Sequence, residues 1–121
     1  MTATDVVNTY LNAFYSGDFE RARLYLAPTF HFKGPFLEAN DCDAYLKSAL
    51  PLAHIVKGHR LVGQWAEDDE VASIYEVMLE TPAGTGKVLM SEWHTVHNTK
   101  LSTSRLILDI AAFRALVPSA G

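Results

Sequence analysis

The chain has 121 residues, of which 49% are apolar and 20% charged, and carries a net charge of −4. That length suits one domain, residues 1 to 121, able to bury a core without disulfide staples. The acidic balance and the scatter of its ten Lys and Arg residues exclude the basic stripe that nucleic-acid binding needs. No run of about 18 apolar residues marks a membrane-spanning helix.

The opening residues MTATDVV lack a basic segment followed by an apolar one, so no secretory signal is expected. Val6, Val7, Tyr10, Leu11 and Phe14 fall on one face of a helix over about residues 4 to 15, with Thr2 or Thr4 as its cap. Gly17 suits the left-handed position past a helix end, and Asp18 can cap the next helix. That helix runs over about 18 to 26, its apolar face made of Phe19, Ala22, Leu24, Tyr25 and Leu26, and Pro28 stops it. Thr29 to Lys33 reads as a short strand ended by Gly34-Pro35. A third helix starts at Asn40 or Asp41 and buries Ala44, Tyr45, Leu46, Ala49 and Leu50. Cys42, the only cysteine, excludes an intrachain disulfide and fits a reducing cytoplasm. Asp41 and Asp43 beside it disfavour a thiolate, so it reads as an inert thiol.

Strands fill the second half: Val56 to Trp65, Val71 to Glu80, Lys87 to Val96 and Leu101 to Phe113, the last the longest. An acidic turn (residues 66 to 69), a loop over Thr81 to Gly86 and a turn at His97-Asn98-Thr99 separate them. The tail VPSAG reads as loose. Helices first and a strand meander after predict an α+β fold, with the helices packed on one face of a strongly curved sheet. A bent sheet under helices leaves a conical hollow, where small ligands bind by default.

Glu92 is the leading chemical candidate, a carboxylate within a strand otherwise made of Val88, Leu89, Met90, Trp93 and Val96. Turned into the hollow, it suits general acid–base work; turned outward, it is solvated or pairs across strands. His94, two residues on, shares its face and could form an acid–base pair with it. Tyr10 offers a hydrogen-bond donor to the hollow or simply packs on the sheet, and Tyr75 is a similar case. His31 could reach the hollow from the first strand. Phe14, Phe32, Phe36 and Trp65 are core by type, yet some of them should wall the hollow, together with Leu106 and Leu108. The alternation of Leu106, Leu108 and Ile110 turns Asp109 outward, toward cross-strand pairs or a subunit contact. No pair of histidines has helical metal-site spacing, and neither a metal nor a cofactor is expected. Gly84-Thr85-Gly86-Lys87 joins two strands and is not a phosphate loop.

The pattern Val-Val-x-x-Tyr-Leu-x-Ala-Phe-x-x-Gly-Asp-Phe at Val6 to Phe19 resembles the nuclear transport factor 2-like superfamily, in its SnoaL-like and ketosteroid isomerase-like branch. So do Leu26 to Pro35, Gly86-Lys87, the turn Asn98-Thr99-Lys100-Leu101 and Arg105-x-x-x-Asp109. The resemblance implies three N-terminal helices on a curved antiparallel or mixed sheet forming a cone, the cystatin-like α+β roll, and a homodimer through the sheet. It also implies roles by position. Tyr10 corresponds to the isomerase tyrosine, and Asp109 to the late aspartate of SnoaL-like cyclases. The isomerase base falls at Gly34, which has no side chain. Its oxyanion acid falls at Glu92, or at Ser91 without a gap. The Arg-Asp-Asp set of the limonene epoxide hydrolase-like branch becomes Tyr75, Val77 and Leu106. The expected function is therefore a small-molecule pocket for an apolar organic ligand, either a cofactor-independent isomerase, cyclase or hydratase acting by proton transfer, or a non-catalytic binding or association module.

Overall fold

A computed structural model describes residues 1–119. The first helix, α1 (Ala3–Tyr15), is closed by a capping box in which the Thr2 hydroxyl accepts from the Asp5 N–H and the Asp5 carboxylate accepts from the Thr2 N–H. Gly17 at φ +82° ends the turn that follows, a conformation L side chains avoid. Asp18 then caps the short α2 (Phe19–Arg23), and Asp41 caps α3 (Cys42–Ala53).

The strands are β1 (Leu26–Lys33), β2 (Glu38–Ala39), β3 (Val56–Glu67), β4 (Glu70–Thr81), β5 (Gly84–His97) and β6 (Lys100–Leu108). They form one six-stranded sheet in the order β2-β1-β6-β5-β4-β3. Only the β1–β6 pair is parallel, so the sheet is mixed. Register shifts in β1–β6, β3–β4 and β5–β6 add bends to its natural twist. The α+β architecture of three leading helices on a curved mixed sheet is as expected. Its core lies between α1, α3 and the inner sheet face, built on Val6, Val7, Leu11, Phe30, Val71, Val77, Leu79, Val88 and Leu101.

Several boundaries differ. The second helix stops at Arg23, and Pro28 lies inside β1 on an exposed, irregular stretch between the Leu26 and His31 pairings, where its missing N–H breaks no ladder. Within α3 the buried side is Cys42, Tyr45, Leu46 and Ala49, while Ala44 and Leu50 face solvent; Leu24 is likewise exposed. The expected loop over 81–86 is a tight hairpin, with Thr81 already paired to Gly84. The last strand ends at Leu108 rather than Phe113. Asp109 accepts a hydrogen bond from the Ala112 N–H and caps a fourth helix, α4 (Ile110–Leu116). Of the tail read as loose, Ala120 and Gly121 lie outside the described residues.

Candidate functional site

Strict alternation along β4 and β5 sends Val71, Ser73, Tyr75, Val77 and Leu79, and then Val88, Met90, Glu92, His94 and Val96, to the inner face. Above this face lies a cavity of about 150 Å³. Phe14 and Tyr15 of α1 form one side, and Tyr45, Ser48, Ala49 and Leu52 of α3 another. Phe32 of β1, Met90 and Glu92 of β5, and Leu106 and Leu108 of β6 form the floor. The segment Gly34–Leu37 and Phe113 of α4 complete the wall, where Phe36 and Phe113 stack with ring centroids 5.4 Å apart.

Glu92 is 4% exposed and is the one carboxylate among the described residues lining this cavity. Its Oε1 accepts a hydrogen bond from the Tyr75 hydroxyl at 2.7 Å. The Tyr75 oxygen lies 3.0 Å from the Tyr15 hydroxyl. A phenol has one hydrogen, and that of Tyr75 is spent on Glu92, so Tyr15 is the donor to Tyr75. The result is a directed chain from Tyr15 through Tyr75 to Glu92. Among the described residues the second carboxylate oxygen, Oε2, has no hydrogen-bond partner, and it is not one of the fully buried unpaired atoms.

Below the wall, the Tyr10 hydroxyl donates to that of Tyr45 at 3.3 Å, which leaves the Tyr45 hydrogen unspent. Burial pushes the phenols of Tyr15, Tyr45 and Tyr75 upward, with the negative charge of Glu92 as the next cause. Tyr10 is raised by burial, then by Tyr45 and Glu92. All four therefore stay neutral donors at physiological pH.

His94 is fully buried beside Glu92. Its Nδ1 is 2.6 Å from the Ser104 hydroxyl, and its Nε2 lies 3.4 Å from Glu92 Oε1 without forming a hydrogen bond. The imidazole thus sits behind the carboxylate and outside the wall.

Of the residues singled out from sequence, Glu92, Phe14, Phe32, Phe36, Leu106 and Leu108 line the cavity. Tyr75, Tyr10 and His94 lie immediately behind it. Two expected placements are corrected, and Asp109 faces outward as its alternation indicated, which sets aside the catalytic role the resemblance implied for it. Trp65 is 61% exposed on the outer sheet face, because its neighbour Gln64 takes the inner position and bonds to Asn8 and Ser73. His31 is turned out by the inward Phe30 and Phe32 on either side, and its Nε2 lies 3.2 Å from Glu38. Asp109 is an exposed helix cap away from the cavity. Two residues were missed. Tyr15 continues the Val7-Leu11 stripe at i+4, a signal present in the helix period, whereas Tyr45 was read only as helix-face core. Among the described residues no group of three or more His, Cys, Asp or Glu could hold a metal ion.

No protein-family model matches the chain, and no curated protein matches it in sequence. Solved structures do resemble it in shape. An NTF2-like protein from Burkholderia pseudomallei superposes with a TM-score of 0.83 at 13% identity, covering 97% of this chain and 98% of that one. The chain adopts the nuclear transport factor 2-like fold. Two further nuclear transport factor 2-like neighbours carry functional descriptions. An epoxide hydrolase of the LEH-like type from M. tuberculosis gives a TM-score of 0.81 at 15% identity, covering 96% of this chain and 90% of that one. A SnoaL-like polyketide cyclase, so described, from Mesorhizobium loti gives 0.71 at 17% identity, covering 88% and 99%. At these identities the likeness concerns the fold, which hosts unrelated chemistries.

This chain's own residues differ from what the fold's hydrolase and isomerase branches were expected to carry. A Cβ built at Gly34 would meet the Phe32 ring at 3.0 Å and Leu106 Cβ at 3.5 Å. A side chain there would press on the Phe32 ring, and Gly34 itself supplies no base. No helix is long and apolar enough to cross a membrane among the described residues.

Proposed function

We propose that the cavity binds a small, mostly apolar organic molecule and that Glu92 moves a proton on it without a cofactor, as an isomerase, cyclase or dehydratase would. One observation carries this reading: a buried carboxylate at the floor of an aromatic cavity, with one oxygen fixed by Tyr75 and the other open. A carboxylate oxygen with no donor of its own in an aromatic-lined cavity is free to accept from a guest. Tyr75 and Tyr15 hold the carboxylate in one orientation, so its reach does not have to be organised during the reaction. The unspent Tyr45 hydrogen is suited to a substrate oxygen on which charge develops. Two of the fold neighbours are described as an LEH-like epoxide hydrolase and a SnoaL-like polyketide cyclase, which supports an enzymatic reading of the cavity.

The test uses a carbon acid that fits the volume, 2-hydroxycyclohexanone in D₂O, followed by proton NMR. Catalysed exchange at the carbon bearing the hydroxyl is expected, and Glu92→Gln should slow it about 10²- to 10⁴-fold while the circular dichroism stays unchanged. Equal exchange by the variant would end the proposal. The non-catalytic binding reading is favoured by the absence of a side chain at Gly34 and predicts binding of the ring with no exchange at all.

The outer face supports a second element of the reading, a homodimer through the sheet. Trp65, Leu89, Trp93 and Ile107 are 48% to 72% exposed there, and exposed apolar patches of this kind mark association sites. The face is self-complementary in type, as a two-fold contact requires. The lone thiol of Cys42 is buried, and burial raises its pKa ahead of the nearby acids, which suits a reducing cytoplasm.

A further inference from the structure

The formal charge of the cavity wall is one-sided. Its ionisable members are Glu92, Tyr15 and Tyr45, and it contains no Lys, Arg or His. Arg114 lies over the Phe36 ring, 5.6 Å from its centroid, but is not part of the wall. Tyr15 spends its hydrogen on Tyr75, and Tyr75 spends its own on Glu92. The open Glu92 Oε2 can therefore only accept. His94 is the one imidazole beside the carboxylate, and its Nε2 approaches Oε1, the oxygen already held by Tyr75, rather than Oε2. Among the described residues no Lys or Arg side chain lines the cavity beside the carboxylate.

Six aromatic side chains, Phe14, Tyr15, Phe32, Phe36, Tyr45 and Phe113, surround it. Ring faces attract cations and do nothing for anions. A generic apolar cavity rejects every charged guest, because each loses its hydration. This one treats the two signs differently. A cationic head meets a carboxylate and ring faces, whereas an anionic head meets a like charge in a medium that screens it poorly. A volume of about 150 Å³ is what a single six-membered ring fills.

We propose that the cavity selects a compact ring whose polar head donates a hydrogen bond to Glu92, an ammonium or a hydroxyl, and excludes the same ring bearing a carboxylate. This rests on reading the cavity as a ligand site, and it names the class of molecule that site takes.

Three probes share one ring: cyclohexylammonium, cyclohexanol and cyclohexanecarboxylate. They are titrated at pH 7 into the full chain carrying ¹³C-methyl methionine. Met90 lines the cavity, whereas Met78 lies on the outer face and Met1 is exposed at the N-terminus, so the Met90 signal set against the other two separates cavity binding from surface binding. Cyclohexylammonium and cyclohexanol should shift Met90, the ammonium at least as tightly as the alcohol, and the carboxylate should bind at least about 10-fold more weakly than either. An ammonium tighter than the alcohol assigns the selection to charge; equal affinities assign it to the shared donor. In Glu92→Gln the ammonium should lose about 10-fold or more while the alcohol changes by less than about 3-fold. The wild-type ranking stands as a test even if that variant fails to fold.

A carboxylate that matches the ammonium, or rejection of both charged rings alike with the alcohol bound, would overturn the donor-head inference and leave the ligand cavity intact. Failure of all three rings to move Met90 would overturn both.

Discussion

The inner and outer faces of β4, β5 and β6 share one alternation and fill it in opposite ways. Inside, among Val71, Val77, Leu79 and Val88, sit Ser73, Tyr75, Glu92, His94 and Ser104, all buried. Outside, beside Glu76 and Arg105, sit Leu89, Trp93 and Ile107, all exposed. Burial of apolar area alone would put the second set inside and the first outside. Polar groups are tolerated inside because they bond to one another across neighbouring strands and to α1. Apolar groups stand outside in a contiguous row, since Ala72 pairs with both Trp65 and Trp93, and Ser91 pairs with Ile107. Stability is served by the inner apolar residues; the inverted ones point to what the protein contacts.

The largest effect that would sharpen this contrast belongs to the inner apolar set. Leu79→Ala should cost about 2–5 kcal/mol by urea denaturation, since Leu79 is fully buried and a cavity is left behind. Tyr75→Phe should cost less, about 1–3 kcal/mol, because it removes one hydroxyl, leaving Glu92 Oε1 without its donor and the Tyr15 hydroxyl with only Met90 Sδ, 3.7 Å away. A Tyr75→Phe chain as stable as the parent would show that the inner polar set does not act as a network. Ile107→Glu on the outer face should change chain stability by no more than about 0.5 kcal/mol. Sedimentation should nevertheless show it as a monomer where the parent is a dimer, and a parent that is already monomeric would break the outer half of the contrast.

The smallest effect is a pH dependence. His59 sits against Tyr15 and Tyr75, with ring centroids at 5.2 and 6.4 Å, and burial lowers its pKa from 6.5. A histidine depressed in the folded state binds fewer protons there than when unfolded. Its contribution to stability is therefore complete above pH 6.5 and is lost as the pH falls through that value toward the folded pKa. The His59 ring proton should titrate by NMR below 6.5, and a midpoint at or above it would contradict the packing.

Much of the fold was legible because its signals are local. Thr2, Asp18 and Asp41 announce helix starts, Gly17 announces a helix end, and the two-residue period of β5 places Glu92 and His94 on one face without any knowledge of neighbouring strands. The rest depends on contacts that local pattern does not carry. Residues Ile110 to Phe113 extend the apolar alternation of β6 and equally suit a helix; Asp109, already read as outward-facing, was the overlooked cap that decides it. Trp65 and His31 are apolar or aromatic enough to belong inside, but parity with Gln64 and Phe30 sends them out. The site itself emerges only when residues 15, 75 and 92 meet, since 60 positions separate the first two. Tyr15 carried the stripe signal and nothing that revealed a partner on β4.

The shortness of α4 has a practical side. Seven residues are too few for a helix to hold itself together in water, so it is kept in place by docking. The Thr81 hydroxyl donates to the Leu116 carbonyl at 2.5 Å, the Leu116 side chain lies over Gly86, and Phe113 rests on Phe36. A chain trimmed before Asp109 would lose Phe113 from the cavity wall and Leu116 from the core, and guests should then enter and leave the opened cavity faster.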